Sequence, residues 1–123
     1  MTTIIRHDTI TLRSEASAED LERFMKEELI PYFNERYRGP TRASRADLQN
    51  QSFLRDTQDQ RKYLWVTAWT GSKDSVQGSS YEHARIGGAI EETKTMLKKL
   101  GSFGERTTVA MFRELVYTVV SKN

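Results

Sequence analysis

The sequence contains no cysteine and only two histidines, His7 and His83. The absence of cysteine excludes disulfide bonds, thiolate metal sites and a cysteine nucleophile. The two histidines lie far apart in the chain, and no His-x-x-x-His or His-x-Glu motif is present. The sequence therefore predicts no metal site of the zinc type.

The chain also lacks a long apolar run and an export signal. No stretch is long and apolar enough to span a bilayer, so no membrane association is expected. The first residues, 1–8, are too polar for a secretory signal peptide. Because cysteine is absent as well, we expect a cytoplasmic protein.

The chain has little excess of one charge sign. Its 19 Lys and Arg residues face 17 Asp and Glu residues, a formal net charge of +2. A nucleic-acid-binding module usually carries a larger basic surplus on one face, so nucleic acid is not an expected partner. The basic residues are nevertheless concentrated between Arg36 and Lys62. This segment is either a solvated turn region or an anion site for phosphate or carboxylate.

The composition and the apolar periodicity predict one domain, 1–123, with six elements. Apolar residues make up 37% of the 123 residues, enough for one core but not two. Alternation of apolar and polar residues predicts four strands, over 4–13, 46–55, 61–70 and 108–121. Helical spacing predicts two helices, one from the N-cap Ser17 to Gly39-Pro40 and one over 81–100. Gly87-Gly88 could delay the start of the second helix to Ala89. Pro31 is expected to kink or split the first helix.

This order of elements is that of a ferredoxin-like α+β fold, βαββαβ. Such a fold has a four-stranded antiparallel sheet with two helices on one face and leaves the other face open. Along 61–70, small apolar residues alternate with Tyr63, Trp65 and Trp69. We expect these aromatic side chains on the open face, where water would contact them unless another surface covers it. The sequence therefore predicts a homodimer whose two sheets face each other and enclose a cavity.

Three features near the third strand resemble a known family. Trp69 ends this strand, a polar loop over 71–80 follows it, and His83 lies near the start of the next helix. In this the chain resembles the dimeric α/β-barrel superfamily, in particular the antibiotic-biosynthesis-monooxygenase-like group. The resemblance implies a small-molecule enzyme that oxidises an aromatic or polycyclic phenol with dioxygen inside the barrel cavity.

The candidate site residues follow from this resemblance and from their chemistry. His83 is the candidate catalytic base, since histidine can accept a proton near neutral pH. The candidate substrate-binding residues are Trp65 and Trp69 as an aromatic wall, Tyr63 beside them, and Tyr81 and Arg85 for an anionic group. Two alternatives remain open: His83 could simply pack at the helix start, and the tryptophans could form the dimer core.

No cofactor is expected, with haem bound through His83 as a minor possibility. The first strand offers His7 and Asp8 in place of the Asn that haem-degrading relatives use, and His7 has no nearby partner in sequence other than Asp8. An RNA-binding function is disfavoured because 61–70 lacks the expected Lys/Arg-Gly-Phe/Tyr pattern. The alternative function is a non-catalytic homodimeric small-molecule-binding or structural protein of the same fold.

Overall fold

The structure is a computed structural model that describes residues 2–71 and 89–114. In chain order its elements are β1 (Thr2–Leu12), α1 (Ala18–Phe24), a π-helical turn (Met25–Leu29), α2 (Ile30–Tyr37), β2 (Asp47–Arg55), β3 (Lys62–Gly71), α3 (Ala89–Phe103) and β4 (Gly104–Glu114). The strands form one 4-stranded sheet in the order β2-β3-β1-β4, and every neighbouring pair is antiparallel. This confirms the predicted ferredoxin-like α+β fold.

The first helical region begins where its sequence predicts, and a π-helical turn divides it just before Pro31. The Ser17 side chain caps α1 by accepting a hydrogen bond of 3.4 Å from the Asp20 backbone N–H. Pro31 does not end the helix. One residue before it, the Ile30 N–H bonds to the carbonyl of Met25, five residues back, which is the π-helical pattern. The extra residue in this turn accommodates a proline that cannot donate, so the chain stays helical through Tyr37.

The second helical region differs from its prediction at its C-terminal end. The helix α3 continues through Gly101 to Phe103, and β4 begins at Gly104 rather than at 108. The connection is short because β4 lies directly against the end of β1. A Cβ atom at Gly104 would be 2.7 Å from the Thr11 carbonyl oxygen, so only glycine permits this approach. The predicted start of the helix, 81–88, and the end of the last strand, 115–121, lie outside the described residues.

The aromatic residues of β3 lie under the helices, not on the open face as the alternation had led us to expect. Tyr63, Trp65 and Trp69 are 2%, 0% and 2% exposed. The rings of Phe33 and Tyr37 from α2 pack edge-on against Trp65 and Trp69, with centroids 5.0 and 5.7 Å apart. Period-two alternation separates two faces of a strand but does not say which face the helices cover, because that depends on the crossover connections.

The face of the sheet away from the helices carries the smaller apolar residues of β3. Leu64 and Val66 are half-buried there, while Leu54 on β2 and Val109 on β4 are 52% and 57% exposed. His7 belongs to this face too, since its cross-strand partners are Val66 and Val109. Within the described part of the chain, no helix has the length and apolar character needed to cross a membrane.

Candidate functional site

Charged residues occupy the helix-facing side of β1, where the fold has its core. Between the buried residues Ile4 and Ile10, this side of the strand presents Arg6 and Asp8, which are 7% and 0% exposed. Burial of charged side chains is costly unless they are paired and hydrogen-bonded. Such residues in a core strand are therefore candidates for a functional role.

The Asp8 carboxylate is bound on one oxygen only. Its Oδ1 accepts a hydrogen bond of 3.0 Å from Arg106 Nη1 and a further one from the Thr108 hydroxyl. Thr108 is the direct cross-strand partner of Asp8, which explains why this contact forms. Its Oδ2 is buried and has no hydrogen-bond partner among the described residues. Leaving a buried acceptor unsatisfied costs about 1–3 kcal/mol, and more for a charged group.

A cleft of about 410 Å³ between α3 and β4 reaches Arg106, the residue that binds this carboxylate. It is lined by Thr93, Lys94, Leu97, Lys98 and Arg106. Arg106 lines the cleft and also binds Asp8, so it connects the surface with the buried carboxylate. Because the other charged lining residues are lysines, the mouth of the cleft is cationic and favours ligands that carry negative charge.

Three hydroxyl groups meet at the wall of the cleft nearest the core. The Thr93 hydroxyl shares hydrogen bonds with Tyr32 OH, at 2.8 Å, and with Tyr37 OH, at 2.5 Å. Burial raises the pKa of Tyr37 to about 12, and it raises the pKa of Tyr32 as well. Tyr37 also contacts Trp69, so the hydroxyl cluster and the tryptophan belong to one interior region.

The raised pKa of Tyr37 predicts a loss of stability in alkali. The folded state favours the neutral phenol, so its contribution is complete below pH 10 and is lost between pH 10 and about 12. A pKa shift of this size corresponds to a contribution of about 2–3 kcal/mol to the free energy of unfolding. Urea unfolding at pH 9 to 12 should show this decrease in the free energy of unfolding. The Tyr37→Phe variant should show a smaller decrease, and an identical profile would contradict the assignment.

The candidate residues Trp65 and Trp69 adjoin the buried charges. Trp65 is the cross-strand partner of Asp8, and its indole N–H donates to Gln51 Oε1 at 3.0 Å. The Trp69 indole N–H donates to the Thr67 hydroxyl at 2.9 Å, and Thr67 is the cross-strand partner of Arg6. Both tryptophans therefore lie on the helix-facing side of the sheet, the same side as Arg6 and Asp8, and not in a space between two sheets.

The candidate residue Tyr63 is the inward residue next to Trp65 on β3, but its own contacts are with α1 and β2. Its hydroxyl donates to Glu22 Oε2 at 2.7 Å, and its ring stacks on Phe53 with centroids 5.1 Å apart. The hydrogen bond from Tyr63 lowers the pKa of Glu22 and holds that carboxylate in its charged form. The structure thus ties the Tyr63 side chain to α1 and β2 through Glu22 and Phe53.

The remaining candidates, Tyr81, His83 and Arg85, lie outside the described residues, and their roles stay predictions. Asp8 points to the opposite side of β1 from its neighbour His7, so the two side chains do not pair. Sequence reasoning missed Asp8 and its partner Arg106. The signal that could have revealed Asp8 was a pair of charged residues at the inward positions of an otherwise apolar strand.

Three arginines of the basic segment 36–62 are held by contacts within the protein. Arg42 donates to the carbonyls of Gly39 and Arg45, Arg36 forms an ion pair of 2.7 Å with Glu92, and Arg55 binds the Glu22 carboxylate. These contacts close a turn and join elements, which favours the interpretation as a solvated turn region over an anion site. Among the residues that the structure describes, no group of acidic or histidine side chains is placed to hold a metal ion.

No protein-family model matches the chain, and no curated protein matches it. Solved structures do match. SnoaB, a cofactor-independent oxygenase from Streptomyces nogalater, has a TM-score of 0.57 at 12% identity, covering 98% of this chain and 100% of that chain. A protein from Bordetella bronchiseptica, assigned as an antibiotic biosynthesis monooxygenase, has a TM-score of 0.56 at 14% identity, and the match covers 95% of this chain and 100% of that chain.

A third similar structure, assigned in the same way, comes from Nitrosomonas europaea. Its TM-score is 0.56 at 8% identity, and the match covers 94% of this chain and 91% of that chain. At such identities the likeness establishes the fold alone. The resemblance to the antibiotic-biosynthesis-monooxygenase-like group is thereby confirmed for the fold, over nearly the whole length of the chain.

Proposed function

We propose that this chain is a cytoplasmic small-molecule enzyme of the cofactor-independent monooxygenase type, acting on an aromatic or polycyclic substrate. The proposal is supported by the fold that the chain shares with SnoaB. It is carried by one observation, a buried and half-satisfied carboxylate, Asp8, on the helix-facing side of β1 directly across from Trp65 of β3. A flat apolar wall with a few polar groups is typical of a site for an aromatic molecule.

The proposed pocket lies within one subunit, between the sheet and the helices. The cleft lined by Thr93 and Arg106 is its entrance. Trp65 and Trp69 would form the wall against which the aromatic substrate lies, as the sequence suggested. Tyr81 and Arg85 are proposed to bind an anionic group of the substrate, a role consistent with the cationic residues that line the entrance.

The proposed reaction converts a phenol and dioxygen into a quinone and water. One oxygen atom of dioxygen forms a bond to a ring carbon, and the other leaves as water with the hydrogens of that carbon and of the hydroxyl. The substrate supplies all four electrons that reduce dioxygen, so no cofactor is required. His83 would accept the hydroxyl proton, because a phenolate loses electrons more readily than a phenol does.

Turnover of a panel of polycyclic phenols, followed by oxygen consumption and quinone absorbance, tests this function. The His83→Ala variant should lose at least about 100-fold in activity, the usual contribution of a general base. His7→Ala removes the other histidine. His7 lies on the face of the sheet away from the proposed pocket, so this variant should retain activity. If His83→Ala keeps full activity, the assignment of the base is wrong.

A second candidate function is a non-catalytic binding or structural protein, and one observation favours it. Both indole N–H groups already have protein partners, and Phe33 and Tyr37 pack against the rings, so much of the interior is filled. Titration of tryptophan fluorescence with haemin and with polycyclic phenols separates the two functions. Saturable quenching by phenols that are also turned over supports the enzyme, quenching without turnover supports a binding protein, and no response from any ligand supports the structural role.

We also propose that a second copy of the chain covers the open face of the sheet. This face presents Leu54 and Val109, each more than half exposed, next to Leu64 and Val66. Exposed apolar patches of this kind commonly mark protein–protein interfaces. The Val66→Asp variant should therefore be monomeric by light scattering. Thr95→Asp, the same kind of change on the exposed side of α3, should remain dimeric, and a dimeric Val66→Asp variant would contradict the interface.

A further inference from the structure

We infer that Asp8 accepts a hydrogen bond from the substrate's hydroxyl group through its Oδ2 atom in the initial complex, before that proton passes to His83, and thereby selects free phenols over their ethers. This inference rests on the proposed function, because it names the group of the aromatic substrate that the pocket recognises. It adds a specificity-determining residue that the sequence did not suggest. The role follows from the side chain's unequal hydrogen bonding, its charge balance and its position in the sheet.

The unequal hydrogen bonding of the two carboxylate oxygens indicates a place for a donor. Oδ1 accepts from both Arg106 and Thr108, whereas Oδ2 has no partner among the described residues. The side chain of Asp8 is 0% exposed, so bulk water does not satisfy this oxygen. A folded protein rarely keeps a buried acceptor unsatisfied without a reason. A ligand hydroxyl would supply the missing hydrogen bond.

The charge balance favours a neutral hydroxyl over a cation. A carboxylate can only accept hydrogen bonds, so its ligand must be a donor. Arg106 already pairs with Asp8 at 3.0 Å, which offsets the negative charge that would attract a cation. No further acidic side chain of the described residues is grouped with Asp8 in a manner that could hold a metal ion.

The position of Asp8 favours a hydroxyl that is attached to an aromatic ring. Trp65 is opposite Asp8 on β3, and Thr108 is opposite it on β4, all on the helix-facing side of the sheet. A ring that stacks along the indole would bring its substituent to the level of the carboxylate. Arg106 lines the entrance and also binds Asp8, so a ligand in the cleft contacts a residue that is hydrogen-bonded to this carboxylate.

Matched pairs of phenols and methyl ethers test the inference on the intact chain. The probes are 1-naphthol with 1-methoxynaphthalene, and 2-hydroxyanthraquinone with 2-methoxyanthraquinone, each titrated against tryptophan fluorescence. Hydrogen bonds to charged groups predict that each phenol binds about 10- to 100-fold more tightly than its ether. In the Asp8→Asn variant, whose amide can also donate to an ether oxygen, this ratio should fall below about threefold.

A matched variant separates loss of the ligand contact from general damage to the site. Thr108→Val removes a hydrogen bond to Oδ1 but leaves Oδ2 intact, so its phenol-to-ether ratio should equal that of the natural protein. Equal binding of phenol and ether by the natural protein would overturn the role of Asp8 while leaving the pocket in place. Absence of binding by every probe would overturn the proposed function itself. The comparison on the natural protein stands even if Asp8→Asn does not fold.

Discussion

The Trp65→Ala variant is expected to lose about 3–5 kcal/mol of unfolding free energy, the range for removing a large buried aromatic side chain. Trp65 is fully buried, packs edge-on against Phe33 with centroids 5.0 Å apart, and donates a hydrogen bond to Gln51. The substitution therefore leaves a cavity under α2 and an unpaired amide oxygen. The total free energy of unfolding of a natural domain is about 5–15 kcal/mol. This loss would therefore be a large part of the stability, and urea unfolding measures it.

The neighbouring residue Leu64 provides the control for Trp65. It points to the opposite face of the same strand and is half-buried. Leu64→Ala should reduce the unfolding free energy much less than Trp65→Ala, while it weakens self-association through the open face. The reverse pattern, with assembly lost in Trp65→Ala and stability lost in Leu64→Ala, would show that the two faces of β3 have been assigned the wrong way round.

The Arg106→Leu variant is expected to lose about 3–5 kcal/mol of unfolding free energy, as is typical when one partner of a buried ion pair is removed. Asp8 is 0% exposed, and Arg106 donates to it at 3.0 Å. Without this partner, the carboxylate would stay in the core with only the Thr108 hydroxyl bound to it. Chemical unfolding at neutral pH measures the effect.

A double variant shows whether this loss arises from the stranded carboxylate. Replacing Asp8 and Arg106 together by leucine removes both charges, and such replacements are often close to neutral for stability. We therefore expect the double variant to recover most of the stability that Arg106→Leu loses. If the double variant is as unstable as the single one, packing of the arginine side chain, and not its charge, is what matters.

Much of the fold could be predicted because its local signals agree with one another. The Ser17 cap, the helical spacing before Tyr37 and the alternation along β3 each predicted the correct element. Pro31 was correctly expected to disturb the helix, although its effect is a π-helical turn that the sequence pattern does not encode. The start of β4 was missed, because it depends on how closely Gly104 approaches Thr11 of a strand far away in sequence.

The candidate site was predicted only in part. Trp65 is the cross-strand partner of the buried Asp8, whereas Tyr63, the next inward residue on the same strand, has its hydroxyl bound to Glu22 of α1. The sequence indicates little about Asp8 beyond its position next to His7. Its importance arises from a contact with Arg106, and residues this far apart in sequence meet only when β1 pairs with β4.

The sequence by itself determined the order of the elements and the two-faced character of β3, since cap residues, periodicity and alternation act over a few residues. Only the tertiary structure decided which face of β3 the helices cover, because that choice depends on the path of the connections and on contacts such as Phe33 with Trp65. It also decided that Asp8 is buried with one oxygen unsatisfied. Burial and pairing are properties of the assembled sheet, in which residues distant along the chain become neighbours.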